Sequence, residues 1–335
     1  MKSILVIRLT SLGDVVLATP IVRMLRSAYP EAKIDVAVDE RFSEVWNYNP
    51  YVSAVYALPK GREHTIKAQA YDLIIDLQRN RRSGRIIQRL QKAGSPRVLK
   101  YAKHLLEKLG LVYFKRKPKH VTHVVHRYAE PLRELGVTID VGALELWPQA
   151  NRPGEHVEQP LRERKLRIGI APGAQHYTKR YPVELIAHIV RDLVTNHAAE
   201  VVLLGGPADV ELCNAVVDLA NVSVARGDGA TTLAATVGLL DTLDAVVSCD
   251  SAIVHMAAAR QVPVAVVYGS TAPEFGFTPY GVSHANVQAH DVPCRPCTHI
   301  GRSSCPKGHF RCMHAISPLT LVNEAVRLAI QHAGA

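Results

Sequence analysis

Four stretches of this 335-residue chain hold residue types able to do chemistry. Asp250-Ser251 is followed, little more than one helical turn on, by His255. A Ser or Asp at a helix start, with free backbone N–H groups and the helix dipole, suits a phosphate. His255 is either a further donor to such an anion or a half-buried structural histidine. Asp14 closes the run Thr10-Ser11-Leu12-Gly13-Asp14 directly after an apolar segment. A carboxylate there either takes a proton from a substrate hydroxyl or caps the following helix. Lys179, with Arg180 beside it, lies in Gln175–Tyr181 and is either an exposed loop cation or one aimed at developing negative charge. Last, Cys294, Cys297, Cys305 and Cys312 follow a C-x2-C-x7-C-x6-C pattern interspersed with His299, His309 and His314. The first pair has metal-ligand spacing, so a structural zinc or iron is one reading, and free thiols or a labile disulfide are the others.

These residues fall where alternating strands and helices would hold them. Ser3–Leu9 reads as a strand apolar enough to be buried on both faces, and a Gly-containing loop and a helix follow it. Pro20 requires either a fresh helix start at Thr19 or a kink. Lys33–Val38, Ala54–Leu58 and Asp72–Leu77 read as further strands, and Tyr101–Leu111 and Val125–Leu135 as helices. The polar, Pro- and Gly-bearing Gln149–Pro160 is the expected interdomain linker. The alternation then restarts with strands at Arg167–Ala171, Glu200–Leu204, Ala245–Cys249 and Val262–Tyr268. Asp250-Ser251 and Gly269–Thr271 fall at strand carboxyl ends, where open α/β sheets bind ligands. The expected organisation is a domain over residues 1–155, another over 165–317, and a last helix from 318 to 335 packing back on the first domain. The glycine pattern of dinucleotide-binding oxidoreductases is absent from the first loop, which disfavours that class.

Hydrophobic residues make up 47% of the chain, enough for two cores. No apolar run reaches the ~18 residues of a membrane span, and no signal segment precedes the first strand, so the expected location is cytoplasmic. The net charge is +10. Basic residues cluster in Arg79–Arg85 and Lys115–His120, which points to an anionic surface or substrate. Nucleic acid is not an expected partner, because interleaved aromatics are few and no RNA-binding motif occurs.

The run D-S-x-x-x-H-x-A-A-A from Asp250, then V-Y-G-x-T-x-P-E-F-G-F-x-P-Y-G, resembles the donor-site signature of the ADP-heptose glycosyltransferases, the lipopolysaccharide heptosyltransferases of glycosyltransferase family 9. The type II enzymes are nearest, and R-L-T-S-L-G-D-V-V-L-A-T-P extends the likeness to the amino end. Two positions depart from the family pattern: Ala252 stands where Gly is usual and Ala272 where Asp is usual. The resemblance implies an α/β GT-B fold of two Rossmann-like doubly wound domains facing a cleft. It implies an inverting transfer of heptose from an ADP-heptose donor to an inner-core sugar of lipopolysaccharide, at the inner face of the cytoplasmic membrane, with no cofactor needed for catalysis. Asp14 would be the base and Lys179 the cation at the diphosphate. Asp250, Ser251, His255 and Thr271 would hold the donor. Asp209 would meet its ribose, and adenine would lie against Ala230–Leu233, which includes Thr231. Thr10, Ser11, Arg79, Arg81 and Arg82 would bind acceptor anions. A transferase for another nucleotide sugar or a protein acceptor, and a nucleotide-binding module without catalysis, are the alternatives.

Overall fold

The computed structural model describes residues 1–67, 69–147, 165–230 and 232–334, so the expected linker Gln149–Pro160 and Thr231 lie outside the described residues. The chain separates into two compact units. The first comprises Met1–Lys103 and the described part of Thr122–Pro153. The second comprises His104–Val121 and the described part of Gly154–Ala335.

In the first unit, β1 (Ser3–Ile7), β2 (Lys33–Asp39), β3 (Ala54–Leu58), β4 (Leu73–Asp76) and β5 (Arg97–Lys100) form a parallel sheet in the order β3-β2-β1-β4-β5. The second unit carries β6 (Arg167–Ala171), β7 (Glu200–Leu204), β8 (Ala225–Gly227), β9 (Ala245–Cys249), β10 (Val264–Tyr268) and β11 (His284–Gln288), all parallel, in the order β11-β10-β9-β6-β7-β8. The central strands are continuous apolar runs because helices cover both faces of a parallel sheet. All five residues of β9 and of β10 are buried. Each sheet is wound outward in both directions from a central pair, β1/β4 in the first and β6/β9 in the second. Such a reversal leaves a crevice at the strand carboxyl ends, because the flanking connections run to opposite faces.

The edge strands β5, β8 and β11 were not expected from sequence. They are short or half-exposed and contain Arg, Lys, His, Asn or Gln, so no apolar run marks them. At Pro20 the chain breaks: one helix spans Leu12–Val16 and a second starts at Thr19, with Pro20 in its first turn, where a missing N–H costs nothing.

The terminal helix Pro318–Ala333 lies within the second unit. Its Leu321, Val322, Ala325, Leu328 and Ala329 stripe is fully buried in the second unit's core, against β9, β10 and the helix Val183–Thr195. The segment from His104 to Val121, expected within the first domain, belongs to the second unit. Its helix starts at Leu105 rather than Tyr101 and runs to Phe114. Leu111 and Val112 on that helix pack with Ala272, Phe275 and Phe277. Lys115 Nζ donates to the carbonyls of Val112, Cys294 and Pro296, and Lys117 pairs with Glu274 at 3.3 Å.

Candidate active site

In the second unit the expected donor residues come together at the β6/β9 crevice. Ala171 and Ser248 are register partners at the ends of these strands. The loop after β6 delivers Lys179, whose Nζ lies 2.8 Å from Asp250 Oδ2. The loop after β10 delivers Thr271, whose hydroxyl donates to the same oxygen at 2.7 Å. Three loops that are remote in sequence thus converge on one carboxylate oxygen. Ser251 begins the helix Ala252–Ala259 with an extended backbone, and its side chain makes no capping bond to that helix. Its hydroxyl instead lies 3.1 Å from that of Ser248. Without a side-chain cap, the first-turn N–H groups remain available to an anion. His255 lies within the same helix and is buried. Asp209, after β7, accepts from Gly206 N at 3.0 Å. Its carboxylate occupies the space that a Cβ at Gly173 or Gly205 would fill, so both turns must be glycine for it to sit between the ends of β6 and β7. The arrangement offers a cation, hydroxyls, a helix start and a carboxylate around one crevice, which suits a phosphorylated, hydroxyl-bearing ligand.

The first unit's crevice, at β1/β4, holds Asp14. It is the third residue of the helix Leu12–Val16. Oδ2 accepts from the Ser11 backbone N–H at 3.1 Å and from the Ser11 hydroxyl at 2.8 Å. Oδ1 accepts from Tyr128 at 3.1 Å and lies 2.7 Å from the Arg8 guanidinium. Burial opposes ionisation of Asp14, but the Arg8 charge and the Ser11 hydrogen bonds outweigh it, and the carboxyl titrates below its ordinary range. Asp14 therefore does cap its helix, and the ion pair with Arg8 is additional to the cap. Arg8 is itself buried, also donating to the Leu77 carbonyl and lying over the Tyr128 ring.

A sequence model of glycosyltransferase family 9 (heptosyltransferase) matches residues 62–307. The chain belongs to this family. Lipopolysaccharide heptosyltransferase 3 of Escherichia coli K12 is 26% identical over 288 residues, which cover 77% of this chain and 80% of that one. Among solved structures, a family 9 glycosyl transferase from Veillonella parvula superposes with a TM-score of 0.75 at 22% identity, covering 98% of this chain and 97% of that one. The E. coli ADP-heptose lipopolysaccharide heptosyltransferase II superposes with a TM-score of 0.67 at 22% identity over 99% of both chains. The protein is therefore a glycosyltransferase of the heptosyltransferase family, and its two parallel α/β units have the GT-B fold class.

The acceptor residues expected of this family 9 glycosyltransferase are only partly free. The loop after β4 is shaped by Asp76, which accepts from Gln78 N, Arg79 N and the Ser83 hydroxyl at 3.0, 2.7 and 3.0 Å. Arg79 and Arg81 are exposed there. Arg79 donates to the Tyr101 carbonyl at 2.9 Å. Arg82 is committed elsewhere: it pairs with Asp39 at 2.9 Å and with Glu63, both buried carboxylates. The same two carboxylates also face Arg41 and Arg85, at 2.8 and 3.9 Å, so Arg82 belongs to an ion-pair cluster. Thr10 is tied to Gln78, which also accepts from the Leu9 and Thr10 N–H groups, while Ser11 is exposed.

The four cysteines were expected as a structural metal site. They are free thiols, and among the described residues no three His, Cys, Asp or Glu side chains are grouped to hold an ion. They do converge: burial raises the Cys312 thiol to about 11, with the neighbouring Cys297, Cys294 and Cys305 adding to the rise. Cys312 turns into the apolar core, and Cys294 lies 3.8 Å from His309 Nε2.

What this segment does instead was not legible. Arg295, between the first two cysteines, donates to the carbonyls of Gly269, Tyr268 and Thr271 at 2.6, 2.9 and 3.0 Å, and to Ala289 O and Gln288 Oε1 at 2.7 and 3.0 Å. Cys297 N donates to Ser270 O at 3.1 Å, and Ser270 bonds Thr178 at 2.9 Å. The cysteine segment thus braces both Thr271 and the Lys179 loop. Arg295→Met should leave several carbonyls unsatisfied, cost roughly 3 kcal/mol of stability, and raise the donor KM more than it lowers kcat. Thermal melts and steady-state kinetics check this.

Proposed function

We propose that the enzyme transfers heptose from ADP-L-glycero-D-manno-heptose to an inner-core sugar of lipopolysaccharide, with inversion at the anomeric carbon. The acceptor hydroxyl oxygen attacks that carbon, and its proton passes to Asp14. The bond to the diphosphate breaks, and ADP leaves with the electron pair. Lys179 and the start of the helix Ala252–Ala259 meet the charge that develops on the leaving group. Asp250 and Thr271 orient Lys179 and bind donor hydroxyls, His255 supports the helix start, and Asp209 takes the ribose hydroxyls. Thr10, Ser11, Arg79 and Arg81 receive acceptor anions, since guanidinium forks match phosphate and carboxylate. The diphosphate charge is met by protein groups, so no metal ion is assigned to catalysis, and a chelator should leave the rate unchanged. The enzyme would work as a peripheral protein at the inner face of the cytoplasmic membrane, where its lipid-linked acceptor is presented.

The observation that carries this reading is the convergence of Lys179 and Thr271 on Asp250 Oδ2 beside an uncapped helix start. The departure at Ala272 does not weaken it. Ala272 is buried in the apolar cluster with Leu111 and Val112, where an Asp would be desolvated, so the change follows from packing. The test is nucleotide release from ADP-heptose, UDP-sugars and GDP-sugars with defined truncated core acceptors. Acceptor-dependent ADP release, unmatched by the other donors, is expected. Turnover with another nucleotide sugar alone, or ADP binding without turnover, overturns the proposal.

A further inference from the structure

The helix Leu105–Phe114 turns its apolar side the wrong way for a helix serving only a core. Leu111 and Val112 face inward. At 3.6 residues per turn, Leu105, Leu106, Leu109 and Tyr113 fall within about 100° of one another, beside the inward face, and all four are exposed. Leu106 is 85% exposed, Tyr113 69% and Phe114, at the helix end, 71%. Scattered apolar residues are ordinary on a surface, but a contiguous stripe of this kind on one helix marks a contact site. The chain then runs directly into Lys115-Arg116-Lys117-Pro118-Lys119-His120, in which Arg116, Lys117 and Lys119 are exposed. Val121, also exposed, closes the segment. The helix is firmly seated from behind, by its inner residues and by the three Lys115 hydrogen bonds, so its outward face is a fixed platform.

We propose that this helix and the basic run after it dock the enzyme on a bilayer containing anionic lipid. The helix would lie in the interface plane with Leu105, Leu106, Leu109, Tyr113 and Phe114 entering the headgroup boundary. Arg116 and Lys119 would engage lipid phosphates. An apolar stripe joined to exposed cations is complementary to such a surface, since burial of the stripe and attraction of the charges act together. No helix among the described residues is long and apolar enough to cross a membrane, and the contact proposed is peripheral. This deepens the proposed function, on which it rests for the lipid-linked acceptor. Of the two basic runs, Arg79–Arg85 and Lys115–His120, it places the membrane contact at the second.

The test is cosedimentation of the full chain with vesicles of neutral phosphatidylcholine and of the same lipid mixed with anionic phosphatidylglycerol. The wild type should bind the mixed vesicles and bind the neutral ones weakly. Leu106→Glu with Phe114→Glu should reduce binding to mixed vesicles on the order of tenfold. Arg116→Glu with Lys119→Glu should remove the preference for anionic lipid. Both double variants should keep wild-type melting curves and wild-type turnover on a deacylated, water-soluble acceptor. Failure of the wild type to bind, or variants that bind as the wild type does, overturns the proposal. So does an altered oligomeric state or soluble-acceptor KM with vesicle binding intact, which would assign the stripe to a second copy or to the acceptor. Vesicle binding is read without turnover, so it stands or falls separately from the choice of donor.

Discussion

Asp14→Asn should lower transfer on the order of 1000-fold, the loss expected when a positioned general base is removed, while ADP-heptose still binds. The amide retains the shape of the carboxylate and one acceptor oxygen for Ser11, so the loop after β1 should hold its form. What it lacks is a charge able to receive the acceptor proton. The substitution also leaves the buried Arg8 guanidinium without its ion partner, whose side chain lies 2.7 Å away. Breaking one side of such a pair costs roughly 3 kcal/mol, so the variant should melt earlier while remaining folded at assay temperature. The sign of the pH dependence follows from the lowered Asp14 pKa. Stability from this pair is present in full above the ordinary aspartate value of 3.8 and is lost as pH falls through the lower folded-state value. Asp14 therefore stays ionised through weakly acidic pH, and an acidic limb in the rate above about pH 5 must belong to another group. A chemical denaturation series across that range, run beside the rate profile, checks both statements.

Lys179→Met should lower kcat on the order of 100- to 1000-fold, the scale for removing a preorganised group that meets transition-state charge. The methionine keeps the length and apolar stem of the lysine, so packing of the loop after β6 is largely retained. Without a ligand, Lys179 is held by Asp250, and the same carboxylate oxygen accepts from Thr271. Removing the ammonium leaves Asp250 with one partner and without a counter-charge, so a diphosphate would meet net repulsion. The loss should fall on kcat and on donor KM together. Lys179→Arg should restore part of the rate, because the charge returns with different reach and geometry. A variant that loses donor affinity with unchanged kcat would place Lys179 outside the chemical step.

Much of the fold was legible because parallel sheets buried on both faces write themselves as apolar runs. SILVI, VAVVY and AVVSC stand out for that reason. The edge strands did not, since half-exposed RVLK and HANVQ carry no such signal. At the candidate site, Asp14, Lys179, Asp250 and Thr271 were picked out by the family resemblance together with their place after strands, and the structure supplies the contacts among the last three. Groups that act through another residue were missed. Arg8 did leave a mark, being the one charged residue in SILVIRL, where a buried cation demands a carboxylate nearby. Arg295 was obscured by the cysteines on either side, which drew attention to metal spacing. Its role depends on carbonyls of Tyr268 to Thr271, which no local pattern reveals. Arg82 was expected at the acceptor by its charge, and its pairs with Asp39 and Glu63, distant in sequence, left no local mark. The outward stripe of Leu105–Phe114 was hidden because apolar residues on a helix read as core until their exposure is known.

In the proposed mechanism the first unit supplies the proton acceptor at Asp14, and the second seats the diphosphate at Lys179, Asp250 and the helix start. Calorimetric titration of ADP-heptose into Asp14→Asn and Lys179→Met, each already assayed for turnover, tests that division most directly. Asp14→Asn should bind the donor within about threefold of the wild type, and Lys179→Met should bind it at least roughly tenfold more weakly. Donor affinity lost in Asp14→Asn and retained in Lys179→Met would contradict the account.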